Sequence, residues 1–142
     1  MNRMKGKTIT ELTLGDYASF QKTISETDVY LFASTTGDIN PVHLNEAEAK
    51  KTIFKGRIVH GMLTAGLISA VLGNQLPGPG TIYLGQDLKF IAPVRFGDTI
   101  LAEVKIIEII KEKNIVKLAT TCINQNNVVV VKGIATVMPP KA

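Results

Sequence analysis

The chain lacks the features that mark several specialised classes of protein. Its 142 residues include a single cysteine, Cys122, which excludes an internal disulfide and a cysteine metal cluster. No stretch approaches the roughly 18 consecutive apolar residues of a membrane span, and the charged N-terminus has no apolar segment of the signal-peptide kind. Repeats, low-complexity segments and linkers are missing as well. We therefore expect one cytoplasmic domain over residues 1–142, with its core at about residues 12–138.

The charge of the chain is also far from extreme. Sixteen lysines and arginines oppose twelve aspartates and glutamates, which gives a net charge of +4. Such an excess favours anionic ligands in general, but it is spread along the chain, so we expect neither a nucleic-acid nor a membrane partner. Four basic residues precede His60: Lys50, Lys51, Lys55 and Arg57. They could contact a phosphate-bearing substrate or form a solvated surface; for Lys89 and Arg95 a solvated sheet edge is favoured over such a contact.

The apolar pattern predicts one long buried helix and several strands. Residues 61–72 carry no charge and are apolar on nearly every side, as in a buried helix. Strands are indicated by β-branched and alternating residues at 17–24, 81–90, 99–111, 115–124 and 128–138. Because one very apolar helix needs a sheet to cover it, the pattern predicts an α+β fold. The length of the strand at 99–111 indicates strong curvature.

The segment between the first strand and the long helix is rich in capping and turn residues. Ser25 is predicted to begin a short helix that Gly37 ends. Asn45 is predicted to begin another. Between them, Pro41 removes a backbone donor and keeps the preceding residue extended. Residues 38–43 are therefore not expected to form a regular helix.

A carboxylate and an imidazole, Asp38 and His43, enclose this Asn-Pro turn. An imidazole exchanges protons near neutral pH, and a carboxylate beside it suits general acid–base chemistry on water. The rigid Pro41 limits how the two side chains move relative to each other. On spacing alone, a helix cap and a surface imidazole remain the alternative explanation.

The start of the long helix is a second candidate feature. Gly61 would expose backbone N–H groups at the positive end of the helix dipole. Such a donor suits a carbonyl oxygen that gains charge in an enolate-like transition state. Alternatively, Gly61 only permits the turn into the helix. We expect His60, just before it, to be a structural hydrogen-bonding partner rather than a proton carrier.

Together these two segments resemble a known family. The sequence DINPVH at residues 38–43 matches the D-x-N-P-x-H motif of the MaoC-like, (R)-specific enoyl-CoA hydratases. The sequence IVHGML at residues 58–63 is similar to the helix-opening segment of that family. Further framework residues that resemble the family are Tyr83-Leu84-Gly85-Gln86, Phe90, Pro93-Val94 and Gly97-Asp98. The similarity covers roughly residues 12–138.

The resemblance implies a hot-dog fold, in which a curved antiparallel sheet wraps around one long buried helix and a helical overhang at about residues 26–57 carries the site. It implies reversible syn hydration of a trans-2-enoyl-CoA to the (R)-3-hydroxyacyl-CoA, for which we expect short chains such as crotonyl-CoA. A homodimer, or a larger homo-oligomer, is implied with the thioester tunnel near the interface. No metal or cofactor is implied beyond the coenzyme A of the substrate.

The resemblance also implies roles for single residues. Asp38 and His43 would hold the water that attacks C3 and supply the proton at C2, while the Gly61 N–H would bind the thioester oxygen. Asn40 would order the loop or the site water, or be only a turn residue. Several relatives have a serine in place of Gly66, which cannot supply a hydroxyl. Thr64 and Ser69 are the candidates to replace that hydroxyl, but the helix spacing places them on different faces from Gly66.

Two other functions remain open at this point. A hot-dog thioesterase would use the same scaffold, but such enzymes typically place their acid on the long helix. Here no Asp or Glu occurs between Gly61 and Leu76. A non-catalytic acyl-CoA-binding protein is the other alternative, and the presence of both Asp38 and His43 argues against it.

Overall fold

The computed structural model describes residues 5–142 and contains four helices, six strands and two single 3₁₀ turns in that range. The helices are α1 (Glu26–Thr36), α2 (Pro41–Leu44), α3 (Glu46–Ala49) and α4 (Gly61–Asn74). The strands are β1 (Tyr17–Thr23), β2 (Ile82–Gln86), β3 (Lys89–Phe90), β4 (Thr99–Ile110), β5 (Ile115–Ile123) and β6 (Val129–Met138). The 3₁₀ turns are Ile9–Glu11 and Lys111–Lys113. Within residues 5–142, no helix combines the length and the apolar character that crossing a bilayer requires.

The strands form one antiparallel sheet in the order β1-β4-β5-β6-β2, and β3 also pairs with β6. Every second residue of β5 is buried, because successive side chains of a strand point to opposite faces. Register shifts between Ile106 and Glu108, and between Cys122 and Ile123, interrupt the regular pairing. Such irregularities bend and twist a sheet. The predicted hot-dog arrangement, an α+β fold with a sheet around one long helix, is confirmed.

Helix α4 packs its large side chains against this sheet. Ile68, Val71 and Leu72 are at most 1% exposed. One stripe of the helix is nevertheless exposed: Met62, Gly66, Ser69 and Gly73. Positions three and four apart share a helix face, and here three of the four side chains are small or absent. The prediction of burial on nearly every side is therefore wrong for this face.

The segment predicted as one strand at residues 81–90 is interrupted at Asp87-Leu88. Asp87 turns its carboxylate to the backbone of β6, and its Oδ1 accepts the Ile134 N–H at 3.0 Å. Gly133 precedes Ile134 in β6, and a Cβ at this position would lie 1.9 Å from the Asp87 carbonyl oxygen. The break in the strand thus depends on a glycine across the sheet. The other strands begin and end within one residue of their predicted bounds.

The predicted caps of α1 are present in the overhang. The Ser25 Oγ accepts the Asp28 N–H at 3.1 Å, and the Asp28 carboxylate accepts the Ser25 N–H at 2.9 Å. Gly37 ends the helix with a φ of 84°, a left-handed conformation that favours glycine. These caps fix where α1 stops, and therefore where the segment at residues 38–43 begins.

The Asn-Pro bend that follows differs partly from its prediction. Asn40 is extended, with φ −51° and ψ 127°, as expected for a residue before proline. Pro41, however, begins the one-turn helix α2, which includes His43. Proline is well suited to the first helical position, where its missing N–H would have no partner inside the helix. The expectation that residues 38–43 are not helical is therefore wrong for their second half.

Candidate active site

The bend brings the carboxylate of Asp38 and the imidazole of His43 together. One carboxylate oxygen of Asp38 and one ring nitrogen from each of His43 and His60 lie within 4.8 Å of one another. Hydrogen bonds to water are about 2.8 Å long, so one water molecule can contact both groups of such a pair. Asp38 is exposed, whereas His43 and His60 are 8% and 1% exposed.

One hydrogen bond restrains the orientation of the His43 ring. Its Nδ1 lies 2.8 Å from the carbonyl oxygen of Ile58. Because a carbonyl only accepts, Nδ1 carries the proton and Nε2 keeps its lone pair. Burial lowers the pKa of His43, and the nearby His60 imidazole adds to this, while the Ile58 carbonyl and the Asp38 carboxylate partly oppose the shift. A lowered pKa keeps Nε2 available as a proton acceptor at neutral pH.

Asp38 is held through its backbone and its own carboxylate. Its N–H donates to Thr36 Oγ1 at 3.1 Å, and its Oδ1 accepts the Asn40 N–H at 3.3 Å. The Asn40 side chain in turn accepts the Val42 N–H at 3.2 Å and caps α2. Asn40 therefore orders the loop. A contact between Asn40 and the substrate or its water stays a prediction.

Arg57 lies behind His43 and is tied to it. Its Nε donates to the His43 carbonyl oxygen at 2.7 Å, and its Nη1 pairs with the Glu26 carboxylate at 2.6 Å. The guanidinium lies over the rings of Tyr30 and Phe96, at 5.3 and 4.6 Å from their centroids. With its side chain only 10% exposed, Arg57 is neither a solvated residue nor placed for a phosphate. The prediction from the basic cluster is wrong here, because the guanidinium already has partners.

Arg95 binds the loop that leads to His60. Its guanidinium donates to the carbonyl oxygens of Phe54, Gly56 and Arg57. The favoured prediction of a solvated sheet edge is thus wrong for Arg95, because three main-chain oxygens surround its side chain. Lys89, in contrast, is exposed on β3.

The Asp38 side chain faces a mostly apolar cleft of about 340 Å³. This volume lies within the usual range of small-molecule sites. Its polar lining comes from Asp38, His60, Gly61 and Thr64. Its apolar lining includes Phe54, Ile58, Met62, Phe90, Ile91 and Val131. The cleft therefore places a carboxylate and the first turn of α4 beside an apolar surface that suits an acyl chain.

Gly61 is the first residue of α4, where, among the described residues, it has a free N–H and no room for a side chain. Within residues 5–142, its N–H donates to no acceptor, as expected for the first turn of a helix. A Cβ at this position would lie 2.6 Å from Cδ1 of Phe90. Glycine thus lets the Phe90 ring approach the helix while the amide stays free for a ligand oxygen. Binding of the thioester oxygen by this amide remains a prediction.

Both hydroxyl residues of α4 are predicted on other faces of the helix than Gly66, and the structure confirms this for Thr64 but not for Ser69. Ser69 lines a second cavity, of about 270 Å³, together with Gly66. The expectation that they occupy different faces is wrong, because residues three apart are neighbours on a helix. Thr64 is fully buried, lines the Asp38 cleft, and its Oγ1 has no hydrogen-bond partner within residues 5–142. Its spacing of three residues from Gly61 is the sequence signal that could have placed it there.

The proximity of Asp38, His43 and His60 also raises the question of a metal ion. The two imidazole rings stack, with centroids 3.9 Å apart and planes 27° apart. A metal binds in the plane of an imidazole at about 2.0–2.1 Å from the nitrogen. Two rings stacked in this way do not direct their nitrogens at one common point. The arrangement fits proton transfer better than metal binding.

The antiparallel sheet around α4, with Asp38 and His60 on the wall of an apolar cleft and His43 next to them, defines a hot-dog protein with a polar site beside the start of its central helix. Residues 11–128 match the family described as MaoC like domain. The chain is 56% identical to the (R)-specific enoyl-CoA hydratase of Rhodospirillum rubrum, over 89% of this chain and 87% of that protein. The chain therefore belongs to the MaoC-like domain family, as its motifs predicted.

Two further comparisons agree with this assignment. The 3-hydroxybutyryl-CoA dehydratase of Methylorubrum extorquens is 49% identical over 92% of this chain and 83% of that protein. The unliganded structure of the R-hydratase PhaJ1 from Pseudomonas aeruginosa is 46% identical and superimposes with a TM-score of 0.90. That superposition covers 98% of this chain and 89% of the other. Both similarities extend over the overhang as well as the sheet.

Proposed function

We propose that this chain is an (R)-specific enoyl-CoA hydratase, a hydro-lyase that reversibly adds water to a trans-2-enoyl-CoA. The observation that carries the proposal is the approach of the Asp38 carboxylate to the His43 ring, within 4.8 Å, beside an apolar cleft. The similarity to a hydratase and to a dehydratase over most of the chain supports the same activity.

In the proposed mechanism, one water molecule is held between Asp38 and His43. The pair removes a proton from the water as its oxygen bonds to C3 of the substrate. The electrons of the C2–C3 double bond move toward the thioester, and the Gly61 N–H donates to the carbonyl oxygen that gains charge. The pair then returns a proton to C2 on the same face, which gives the (R)-3-hydroxyacyl-CoA. Because the two groups are so close, they exchange protons as one coupled unit.

The proposal includes short acyl chains and no further cofactor. The name of the Methylorubrum extorquens relative specifies a four-carbon hydroxyacyl group, which makes crotonyl-CoA the first substrate to test. Coenzyme A enters only as part of the substrate. Treatment with a chelator such as EDTA is expected to leave the activity unchanged, and loss of activity that added metal restores would contradict this part.

The proposal also includes a cytoplasmic homodimer. Large apolar side chains are exposed around β2, β3 and the start of α4: Met62, Ile82, Tyr83, Leu84, Phe90 and Ile91. Monomeric soluble proteins rarely expose large apolar patches, so a second copy of the chain is the expected cover. The test is light scattering during gel filtration, with an expected mass of twice 15.4 kDa. The acyl-CoA substrate and the lone cysteine support the cytoplasmic location.

The decisive experiment follows the enoyl absorbance of crotonyl-CoA and the release of free thiol in the same sample. We expect the absorbance to fall without thiol release, and the product to be oxidised by an (R)-specific but not by an (S)-specific 3-hydroxyacyl-CoA dehydrogenase. Butyryl-CoA, which lacks the double bond, is the control for hydrolysis. Thiol release from both substrates would indicate a thioesterase instead, and binding without turnover would indicate a non-catalytic protein.

A further inference from the structure

The His60 side chain contacts both groups of the proposed catalytic pair. Its Nε2 lies 2.9 Å from the carbonyl oxygen of Asp38. Its ring stacks on the His43 ring at a centroid distance of 3.9 Å. The Phe32 ring lies 4.8 Å from His60 at a tilt of 51°. A single buried side chain, 1% exposed, thus joins the main chain of the acid to the ring of the base.

The chemistry of these contacts explains why the residue is a histidine. A carbonyl oxygen only accepts, so the Nε2 of His60 carries a proton and donates it to Asp38. The Nδ1 of His60 is then an acceptor, and among the described residues it is buried without a hydrogen-bond partner. An unpaired buried polar atom is unfavourable, and a phenyl ring would fill this place without one. The advantage of the imidazole is therefore the N–H that it gives to Asp38.

We infer that His60 is a positioning residue, which fixes the Asp38 carboxylate and the His43 ring relative to each other. Its N–H restrains the main chain of Asp38, and its ring face sets the plane of His43. The inference rests on the proposed function, because Asp38 and His43 are the groups that it positions. His60 itself exchanges no proton with the substrate.

The inference has a consequence for the His43 ring that can be measured directly. The charged and titratable groups around this ring are the Asp38 carboxylate, the His60 imidazole, and Arg57, which binds the His43 carbonyl and pairs with Glu26. Burial is the main cause that lowers the pKa of His43, and His60 lowers it further. Removal of the His60 imidazole should therefore raise the pKa of His43, so that its protonation begins at a higher pH.

Two substitutions separate the two contacts of His60. His60→Phe keeps a ring against His43 but removes the N–H donor to Asp38, while His60→Gln keeps an N–H donor but removes the ring. We expect His60→Phe to lower kcat about tenfold or more with KM within about twofold, because misplaced catalytic groups reduce turnover. His60→Gln should recover part of that loss. If kcat of both variants stays within about twofold of the wild type, the inference is overturned.

A second measurement needs no substrate. The chain has only two histidines, so either His60 variant leaves His43 as its one imidazole, and ¹⁵N-edited NMR gives the pKa and tautomer of that ring. We expect the His43 proton to stay on Nδ1 and its pKa to rise in both variants. Phe32→Leu is the matched control, since it loosens packing around His60 but leaves the imidazole in place. If His60→Phe moves the His43 pKa no more than Phe32→Leu does, the inference is also overturned.

These readouts distinguish this inference from the proposed function. A wild-type protein that does not hydrate crotonyl-CoA would remove the proposed function, while the NMR comparison would still decide whether His60 controls the His43 ring. Thermal melts of each variant identify any that fail to fold. If His60→Phe does not fold, the NMR measurement is made on His60→Gln instead. An unchanged His43 pKa in that variant would contradict the inference.

Discussion

The sheet with its central helix differs from the overhang at residues 26–57, together with His60 that follows it, in the interactions that fix its side chains. Within the sheet and α4, aliphatic side chains such as Ile68 and Leu118 are fully buried, and burial of apolar surface has no preferred direction. In the overhang, basic side chains donate to main-chain carbonyl groups: His43 to Ile58, Arg57 to His43, and His60 to Asp38. The first region is held by apolar packing, whereas the second combines the packing of residues such as Val29 with hydrogen bonds that act at individual points.

This difference separates stability from catalytic geometry. Loss of buried apolar surface weakens the whole fold, because α4 and the strands β4, β5 and β6 share one core. Loss of one directed hydrogen bond in the overhang displaces a particular side chain while leaving the sheet intact. Substitutions in the sheet should therefore reduce stability first, and substitutions in the overhang should reduce activity first.

The strongest test of this comparison is made in the core. Leu118 is fully buried in β5, and Leu118→Ala should lower the free energy of unfolding by about 2–5 kcal/mol, measured by urea denaturation. Leu31→Ala is the control, because Leu31 is 61% exposed on α1. That control should change stability by no more than about 0.5 kcal/mol. Equal losses in the free energy of unfolding for the two variants would contradict the distinction between the core and the overhang.

The next test is at the proposed catalytic pair. Asp38→Asn and His43→Gln should each lower kcat for crotonyl-CoA at least about 10²-fold, the low end of general acid–base contributions. Their melting temperatures should stay close to that of the wild type. Glu112→Gln is a suitable control, since Glu112 is an exposed acid outside the cleft, and it should keep full activity. Near-normal turnover in Asp38→Asn or His43→Gln would remove that residue from the mechanism.

A smaller effect is expected where Arg57 holds the catalytic segment. Arg57→Lys keeps the positive charge but loses the Nε donor to the His43 carbonyl, so kcat should fall about tenfold, less than the 10²-fold that a 1 Å misplacement can cost. Glu26→Gln removes only the ion pair and should have less effect on kcat. Steady-state kinetics of the two variants provide the measurement. A larger loss in Glu26→Gln would mean that the ion pair, rather than the carbonyl contact, positions His43.

The smallest effect on the fold is expected at Thr64. Its buried hydroxyl has no partner, and an unpaired buried hydroxyl is unfavourable by roughly 1–3 kcal/mol. The nearly isosteric Thr64→Val should therefore leave the melting temperature unchanged or raise it. Because Thr64 lines the cleft, the same variant reports through KM whether the hydroxyl binds substrate. A clear drop in melting temperature would show that the hydroxyl has a partner in solution.

Local features of the fold could be predicted from the sequence because neighbouring residues determine them. The caps at Ser25 and Gly37 and the start of α4 at Gly61 all follow from side chains within a few positions. The break at Asp87 could not be predicted in this way. It depends on Gly133, 46 positions later in the chain, and pairing partners across a sheet are not visible in a local pattern.

The candidate site also contains residues that a local pattern reveals and residues whose role depends on distant partners. Asp38 and His43 lie in one short motif, so both could be named from the sequence. The role of Arg57 could not be predicted, because the sequence does not distinguish an arginine that binds a main-chain carbonyl from one that binds a phosphate. Its partners Glu26 and His43 are 31 and 14 positions away. The stacking of His60 on His43 likewise required the fold, since sequence spacing does not give the angle between two rings.

The contact between Phe90 and Gly61 determines where the substrate range of the protein could be altered. The ring rests on a helix position that has no room for a Cβ, and it belongs to a two-residue strand that forms part of the cleft wall. Widening the entrance therefore calls for a smaller residue in place of the aromatic one, with the helix left as it is. We expect variants selected for activity on longer acyl chains to carry changes at residue 90 and to keep glycine at residue 61. Residue 90 is therefore also the first position to change in enzyme engineering.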